Sequence, residues 1–312
     1  MTTHDMNRTV ATDDMLPLLQ TGLQAVENAM YNVVKSDVEV LRDASTHILS
    51  AGGKRVRPHL LMLAYLACGG TDVTYAAPPA AAVELMHTAS VVHDDINDHG
   101  VVRRGRPSVN AKWGRTFALL TGDFLFTAVY QLMAPYGDLN KLLAEAATAL
   151  VEGETLQAHA VKNNEFTREN YARIISLKTA ALFQSAGEIG ARLADTTEDI
   201  AEALGNYGFN IGLAFQIVDD ILDIVGDEET LGKTSGIDVE QGRGITAIEN
   251  TEGADIMDAI KRKLLSGNRL EEARQQAQAF AEIAIEQLDV LPDSYAKTEL
   301  ADLANKVINR NK

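Results

Sequence analysis

Two short segments of this 312-residue chain carry carboxylates at a spacing that a helix turns into chemistry. The first, ELMHTASVVHDDINDHGVVRRG at 84–105, holds Asp94, Asp95 and Asp98; the second, FQIVDDILDIVGD at 215–227, holds Asp219, Asp220 and Asp223. Residues i and i+4 of a helix fall about 40° apart on one face, one turn along the axis. Asp94 and Asp98 therefore share a face, with His87 near the same stripe and Asp95 beside it; Gln216 shares the face of Asp219 and Asp223. Like charges so placed weaken an isolated helix by about a few tenths of a kcal/mol. Both segments are strongly apolar, where bare carboxylates are costly. One Asp-Asp pair alone would be an ordinary solvated helix end. The same arrangement twice invites divalent cations, and oxygen donors without cysteine point to Mg²⁺ or Mn²⁺ rather than zinc.

Cations gather near the first cluster. Residues 51–115 carry eight lysines and arginines against five acids, in a chain whose formal net charge is −16. The run Gly52-Gly53-Lys54-Arg55-Val56-Arg57-Pro58 can offer backbone N–H groups and cations to an anion, with Pro58 opening the next helix. Arginine forks such as those of Arg103 and Arg104 suit phosphate oxygens. No GxxxxGK[ST] occurs, so this is not a Walker loop. Acid clusters and cations, with metals between them, describe a diphosphate site. The acidic balance of the whole chain argues against general nucleic-acid binding.

The elements that must hold these residues read as helices. Apolar positions recur at three- and four-residue spacing in 141–160, 170–194 and 270–290. Segments 174–194 and 208–225 are apolar around most of their circumference, as helices at the centre of a large bundle are. Pro78 and Pro79 are expected to open a helix running to about His99, with Gly100 ending it. Gly69-Gly70, Pro135-Tyr136-Gly137 and Ser266-Gly267-Asn268 fall between helical runs. No sustained alternation signals a strand, and no repeat or low-complexity linker divides the chain. The expectation is one all-α domain of roughly ten or more helices, with residues 1–20 as a flexible leading segment. The single cysteine, Cys68, excludes an internal disulfide and a cysteine zinc site, and reads as a small buried hydrophobe. The apolar run Leu60–Cys68 is far short of the roughly 18 residues a membrane span needs. The polar start MTTHDMNRTVATDD is unlike a secretory signal. A cytoplasmic protein without an integral membrane segment is expected.

The set of motifs resembles the trans-isoprenyl diphosphate synthases, or polyprenyl synthetases, of medium and long chain. They run in order from about Gly52 to Lys312: GGKRVRP at 52–58, the first aspartate segment at 84–105, GD at 122–123, GETLQ at 153–157, LKTAALF at 177–183, FQIVDDILD at 215–223 and LGKTSGID at 231–238. The resemblance implies an isoprenoid-synthase helical bundle around a central apolar cavity, usually as a homodimer. It also implies a Mg²⁺-dependent prenyltransferase, with about three ions per site and Mn²⁺ as a substitute, adding isopentenyl diphosphate head-to-tail to an allylic diphosphate. By the same resemblance Asp94, Asp98 and Asp219 are metal ligands, with Asp95, Asp220 and Asp223 supporting. Lys54, Arg57, His87 and Arg104 match positions that hold isopentenyl diphosphate. Arg103, Lys178, Thr179, Gln216 and Lys233 match positions around the allylic diphosphate, and of these Lys178, Arg103 and Gln216 serve the chemistry. Ionisation to an allylic cation places developing charge on the leaving pyrophosphate, so no side-chain nucleophile is needed.

After Asp238 the chain departs from the family pattern: it reads EQGRGITAIENTEGADI, with Arg243 where a lysine is usual and no Leu-Pro run. Arg243 is kept as an allylic-site residue, and 239–256 is where activity could depart from the family. Bulky aromatics four or five residues before the first aspartate motif stop chain growth in the family; here those positions are Ala89 and Ser90. One helical turn is about 5.4 Å, comparable with an isoprene unit, so stops are expected deeper, at Met86 and Val83. The expected product is C20 or longer, with C25–C40 included in that range. Three other readings carry less. Glu84 to His87 is one ExxH of the kind used twice in di-iron bundles, without a second copy. A terpene cyclase would need only one aspartate motif, and a non-catalytic or partner-dependent subunit should show eroded ones.

Overall fold

The computed structural model describes residues 12–163, 167–225 and 269–310. Its centre is α4 (Val73–Asn97), capped by Asp72, whose carboxylate accepts from the Thr74 and Tyr75 amides. Pro78 and Pro79 lie inside this helix instead of opening it. Pro79 has no N–H for the carbonyl of Tyr75, and the Tyr136 hydroxyl donates to that oxygen at 2.7 Å instead. The helix ends at Asn97; Asp98 caps it and His99 takes the left-handed conformation, one residue before the expected Gly100.

Alanines at 76, 77 and 80–82 let neighbours approach α4 closely: α1 (Thr12–Val33), α3 (Val56–Ala67) and α6 (Arg115–Met133) pack along it. In α1, Met15, Leu19, Val26 and Met30 recur at helical spacing and are all buried. Met15 and Leu19, in the stretch placed by the sequence in a flexible leader, therefore belong to the core: a short apolar stripe amid polar residues is a weak signal until it meets α3 and α4. Helix α2 (Glu39–Ser50) precedes the basic loop.

A two-residue hairpin follows α4: β1 (Val102–Arg103) pairs antiparallel with β2 (Arg106–Pro107). Arg104 and Gly105 both have positive φ, the requirement of a tight primed turn. No strand was expected here, because two residues cannot display alternation. A short α5 (Val109–Trp113) leads into α6.

Helix α7 (Leu139–Asn163) faces α8 (Arg168–Ile175), which passes through one π-helical turn (Ser176–Ala180) into α9 (Ala181–Leu193). α9 lies against α10 (Glu198–Val225) almost backbone to backbone. A Cβ on Gly187 would fall 2.1 Å from the Leu204 oxygen, and one on Gly208 would fall 2.2 Å from the Phe183 oxygen. The chain closes with α11 (Arg269–Glu286) and α12 (Tyr295–Ile308). The buried Tyr207 hydroxyl donates to Leu300 O at 2.6 Å, tying α12 to α10. The all-α class holds, and Gly69-Gly70 and Pro135–Gly137 fall between helices as expected. The third breaker, 266–268, lies outside the described residues.

One helix bears on the membrane question. Arg115–Tyr136 is long and apolar enough to cross a bilayer by composition, with mean hydropathy 1.4. The expectation from Leu60–Cys68 overlooked it because Thr121, Gly122 and Asp123 interrupt its apolar run. Its inner face packs on α4, while Phe117, Leu119, Leu120 and Tyr130 remain exposed.

Candidate active site

A cavity of about 220 Å³ opens between α4, the π turn and α10. Asp94, Asp95 and Asp98 stand on one wall and Asp219 and Asp220 on another, with His87, Ser90, Arg57, Arg103, Lys178, Thr179 and Gln216 also facing it. Residues separated by more than a hundred positions in sequence thus converge on one space.

On the α4 wall the three aspartates have different partners. Asp94 Oδ2 lies 3.5 Å from Lys178 Nζ, which also meets Glu154 Oε1 at 2.5 Å. Asp95 is only 1% exposed; its Oδ1 accepts from Arg103 Nη2 at 2.6 Å and Nε at 3.1 Å. Burial pushes the Asp95 carboxyl above the usual range, and Arg103 opposes the shift. Burial likewise works against the charge of Lys178, but Asp94 and Glu154 outweigh it and hold the ammonium pKa above normal. Glu154 is pushed up to about 7, by burial and then by Asp94. Its helix reaches the π turn because Gly153 has no side chain: a Cβ there would lie 2.8 Å from the Lys178 nitrogen.

On the α10 wall a hydrogen-bond chain runs through neutral groups. The Thr179 hydroxyl donates to Gln216 Oε1 at 2.8 Å, Gln216 Nε2 donates to Asp220 Oδ1 at 3.0 Å, and the Tyr171 hydroxyl donates to Asp220 Oδ2 at 2.6 Å. Asp219 is more open and lies 3.5 Å from Arg310, which follows α12. Asp223, expected on the same face, is 1% exposed and does not line the cavity. One turn of rise carries it deeper into the bundle.

The basic residues form the third side. Arg57 is 7% exposed, with its guanidinium 4.4 Å over the Phe183 ring; burial holds its pKa down to about 10. Arg310 covers the Phe215 ring at the same distance. His87 is held well below its ordinary pKa, first by burial and then by Arg57, Arg104, Arg103 and Arg55, so its ring is neutral near pH 7. Lys54 and Arg104 are not on the wall of the cavity. Arg104 reaches back over the glycine loop, where a Cβ on Gly53 would lie 2.7 Å from its Nη1. Lys54 is lowered by burial and by Arg310, with Asp219 opposing.

Of the chain-length residues, Ser90 faces the cavity and donates to the His87 carbonyl at 2.8 Å. Ala89, Met86 and Val83 are buried and do not line it. Lys233, Arg243 and the atypical 239–256 segment lie outside the described residues. Five neighbours of the site received no role from the sequence: Glu154, Gln157, Tyr171, Phe215 and Arg310. Glu154 and Gln157 sit in the GETLQ segment, which was a usable signal; Tyr171 and Arg310 carry no local pattern at all.

The donor set suits a hard divalent cation in one specific sense. Among the described residues no three carboxylate or imidazole side chains converge into a ready cage. Carboxylates on opposing walls of one cavity, flanked by cations, instead fit an ion that takes one or two protein oxygens and completes its shell with substrate phosphates and water. Asp95 Oδ2 is a buried oxygen that accepts no hydrogen bond.

A family model described as polyprenyl synthetase matches residues 38–283. The octaprenyl diphosphate synthase of Escherichia coli (strain K12) is 34% identical over 316 residues, with 95% of this chain and 98% of that protein covered. The all-trans-nonaprenyl-diphosphate synthase (geranyl-diphosphate specific) of Rhodobacter capsulatus is 34% identical over 318 residues, with 95% and 97% covered. A crystal structure of polyprenyl synthase from Caulobacter crescentus CB15, complexed with calcium and isoprenyl diphosphate, aligns with a TM-score of 0.88 at 31% identity. That match covers 98% of this chain and 100% of the other.

Proposed function

This chain belongs to the polyprenyl synthetase family, and from that premise we propose that it is an all-trans polyprenyl diphosphate synthase built as one catalytic domain. It joins isopentenyl diphosphate head-to-tail to an allylic diphosphate. The observation that carries the reading is the pair of aspartate motifs facing one cavity across opposite walls, with the basic set between them.

In this reading Asp94, Asp98 and Asp219 hold Mg²⁺, about three ions per site with Mn²⁺ as a substitute, and Asp95, Asp220 and Asp223 support them. Bound Mg²⁺ supplies positive charge to the departing pyrophosphate. Lys178 and Arg103 add fixed cations to the same place, where charge grows as the C–O bond breaks. Thr179 and Gln216 orient the allylic diphosphate, together with Lys233 and Arg243. Arg57, His87, Lys54 and Arg104 take the isopentenyl diphosphate. The apolar residues Val91, Ile174, Ile175 and Phe215 on the cavity wall keep water from the cation.

Growth beyond C15 is supported by the absence of a bulky residue at Ala89 or Ser90. A product of C20 or longer, C25–C40 included, follows. Ser90→Phe places a ring in the cavity wall and should shift the product to C15–C20; an unchanged chain length would show that growth does not pass this residue.

The exposed Phe117, Leu119, Leu120 and Tyr130 on α6 support a homodimer that covers this face, and with it a water-soluble, cytoplasmic enzyme. The decisive experiment incubates purified protein with isopentenyl diphosphate, an allylic primer and Mg²⁺, then measures product length. A single polyprenyl product supports the synthase. A cyclised hydrocarbon, or elongation only with an added second subunit, would replace it.

A further inference from the structure

The basic loop 52–58 holds one cation that the reaction leaves without a task. Arg55 is absent from the cavity wall, yet it is among the most restrained side chains in the bundle. Its Nε donates to Glu27 Oε1 of α1 at 2.7 Å, its Nη1 to Glu84 Oε1 of α4 at 3.0 Å, and its Nη2 to the Leu49 carbonyl in the last turn of α2 at 3.1 Å. Three helices thus meet on one guanidinium, each through a different nitrogen. Glu84 is 2% exposed, a carboxylate buried one helical turn before His87.

The backbone beneath this clamp is in an uncommon state. Arg55 has φ +47° and ψ +37°, the left-handed region that residues other than glycine seldom occupy. Such a conformation persists when its surroundings over-determine it. Here it is also the N-cap of α3: the Arg55 carbonyl accepts the His59 amide at 3.0 Å, the first bond of that helix. The neighbouring Gly52 has φ +77° and no side chain to restrain the loop. With the Arg55 side chain turned into the protein, Lys54 and Arg57 flank it, and Arg57 emerges on the cavity wall.

We infer that Arg55, clamped by Glu84 and Glu27, is the positioning residue of the isopentenyl diphosphate half-site: it fixes the left-handed turn that aims Lys54 and Arg57. This rests on the synthase reading and adds to it a residue that touches neither substrate. The clamp joins α1, α2 and α4, whereas Lys178, Thr179, Gln216 and Arg103 of the allylic half-site stand on the π turn, α10 and β1; of the hairpin only Arg104 belongs to the isopentenyl side. Loss of the clamp therefore acts first on the isopentenyl diphosphate side. The fork of arginine is needed because a lysine ammonium is a point charge and cannot reach three acceptors in fixed directions.

The test uses the full chain with both substrates varied independently, on Arg55→Gln, Arg55→Lys, Glu84→Gln and the Arg55→Gln/Glu84→Gln double variant, with thermal melting of each. Arg55→Gln should raise KM for isopentenyl diphosphate by about tenfold or more, since small misplacements of binding groups are expensive. KM for the allylic diphosphate and kcat at saturation should stay within about twofold. Glu84→Gln should move the same constant in the same direction, and the double variant should add little beyond the larger single effect, as coupled residues do. Arg55→Lys should recover part of the loss, and reads the same constant if the glutamine variant does not fold. A lower melting temperature with KM for isopentenyl diphosphate unchanged, or an equal rise in both KM values, overturns the inference. If the wild-type protein itself fails to condense the two diphosphates, the synthase reading falls instead, so the two failures are separable.

Discussion

Asp95 and Asp220 occupy the same place in their two motifs, yet their contacts differ: Arg103 grips the first, and the Tyr171 hydroxyl and the Gln216 amide donate to the second. Asp95 is neutralised by Arg103, a residue on the hairpin, so the α4 wall carries its anchor and a substrate-facing cation as one unit. Asp220 accepts from Tyr171 and Gln216, so the α10 wall is steadied through hydroxyl and amide donors from its surroundings. Both aspartates of each pair line the cavity, and the second of each pair is also anchored to its surroundings by hydrogen bonds. A repeated sequence motif is therefore not a repeated environment, and the two copies should respond differently to the same substitution.

The first-position aspartates should show the largest effect and the least difference between copies. Asp94→Asn and Asp219→Asn should each lower kcat by about two to three orders of magnitude, the scale seen when a group stabilising developing charge is removed. If one of them kept near-normal kcat in Mg²⁺, the reading of two equivalent metal-facing positions would fail.

The anchors should separate next. Arg103→Gln leaves the buried Asp95 carboxylate without its cation and should destabilise the fold by about 2–3 kcal/mol. Tyr171→Phe removes the hydrogen bond from the Tyr171 hydroxyl to Asp220 and should cost about 1–2 kcal/mol. Denaturant unfolding in the absence of metal reads both; equal losses would erase the distinction between a charged and a neutral anchor.

The smallest effect concerns pH. His87 has a depressed pKa in the folded protein because it is buried among arginines, whereas the α10 wall has no histidine facing the cavity. A depressed pKa means stability that is whole above about pH 6.5 and is lost as the pH falls below it, by up to about 1.4 kcal/mol per unit. The substrate-free wild type should therefore lose more melting temperature between pH 7 and 5 than His87→Gln does. Parallel curves would mean that the arginine cluster does not bear on His87.

Much of this was legible in the sequence, for reasons that can be assigned residue by residue. The helices in 141–160, 170–194 and 270–290 announced themselves because periodicity within one segment is a local property. Asp94, Asp98 and Asp219 were found because costly carboxylates repeat in apolar sequence. The internal prolines of α4 were misread as a helix start, since the Tyr136 hydroxyl that replaces the bond lost at Pro79 comes from a distant part of the sequence. The hairpin was too short to carry a pattern. Asp223, read from its face angle as a neighbour of Asp219, lies buried off the cavity because that angle ignores the rise along the axis.

The sequence by itself determined the helical class, the family and the acidic and basic residues that meet at the site, because composition, periodicity and motif spacing are written within each segment. Only the tertiary structure decided that Tyr171 steadies Asp220, that Arg310 meets Asp219 and that Arg55 turns away from the cavity to join three helices. Those contacts are made by side chains from different elements, and their geometry is set by how the helices pack, which no local pattern encodes.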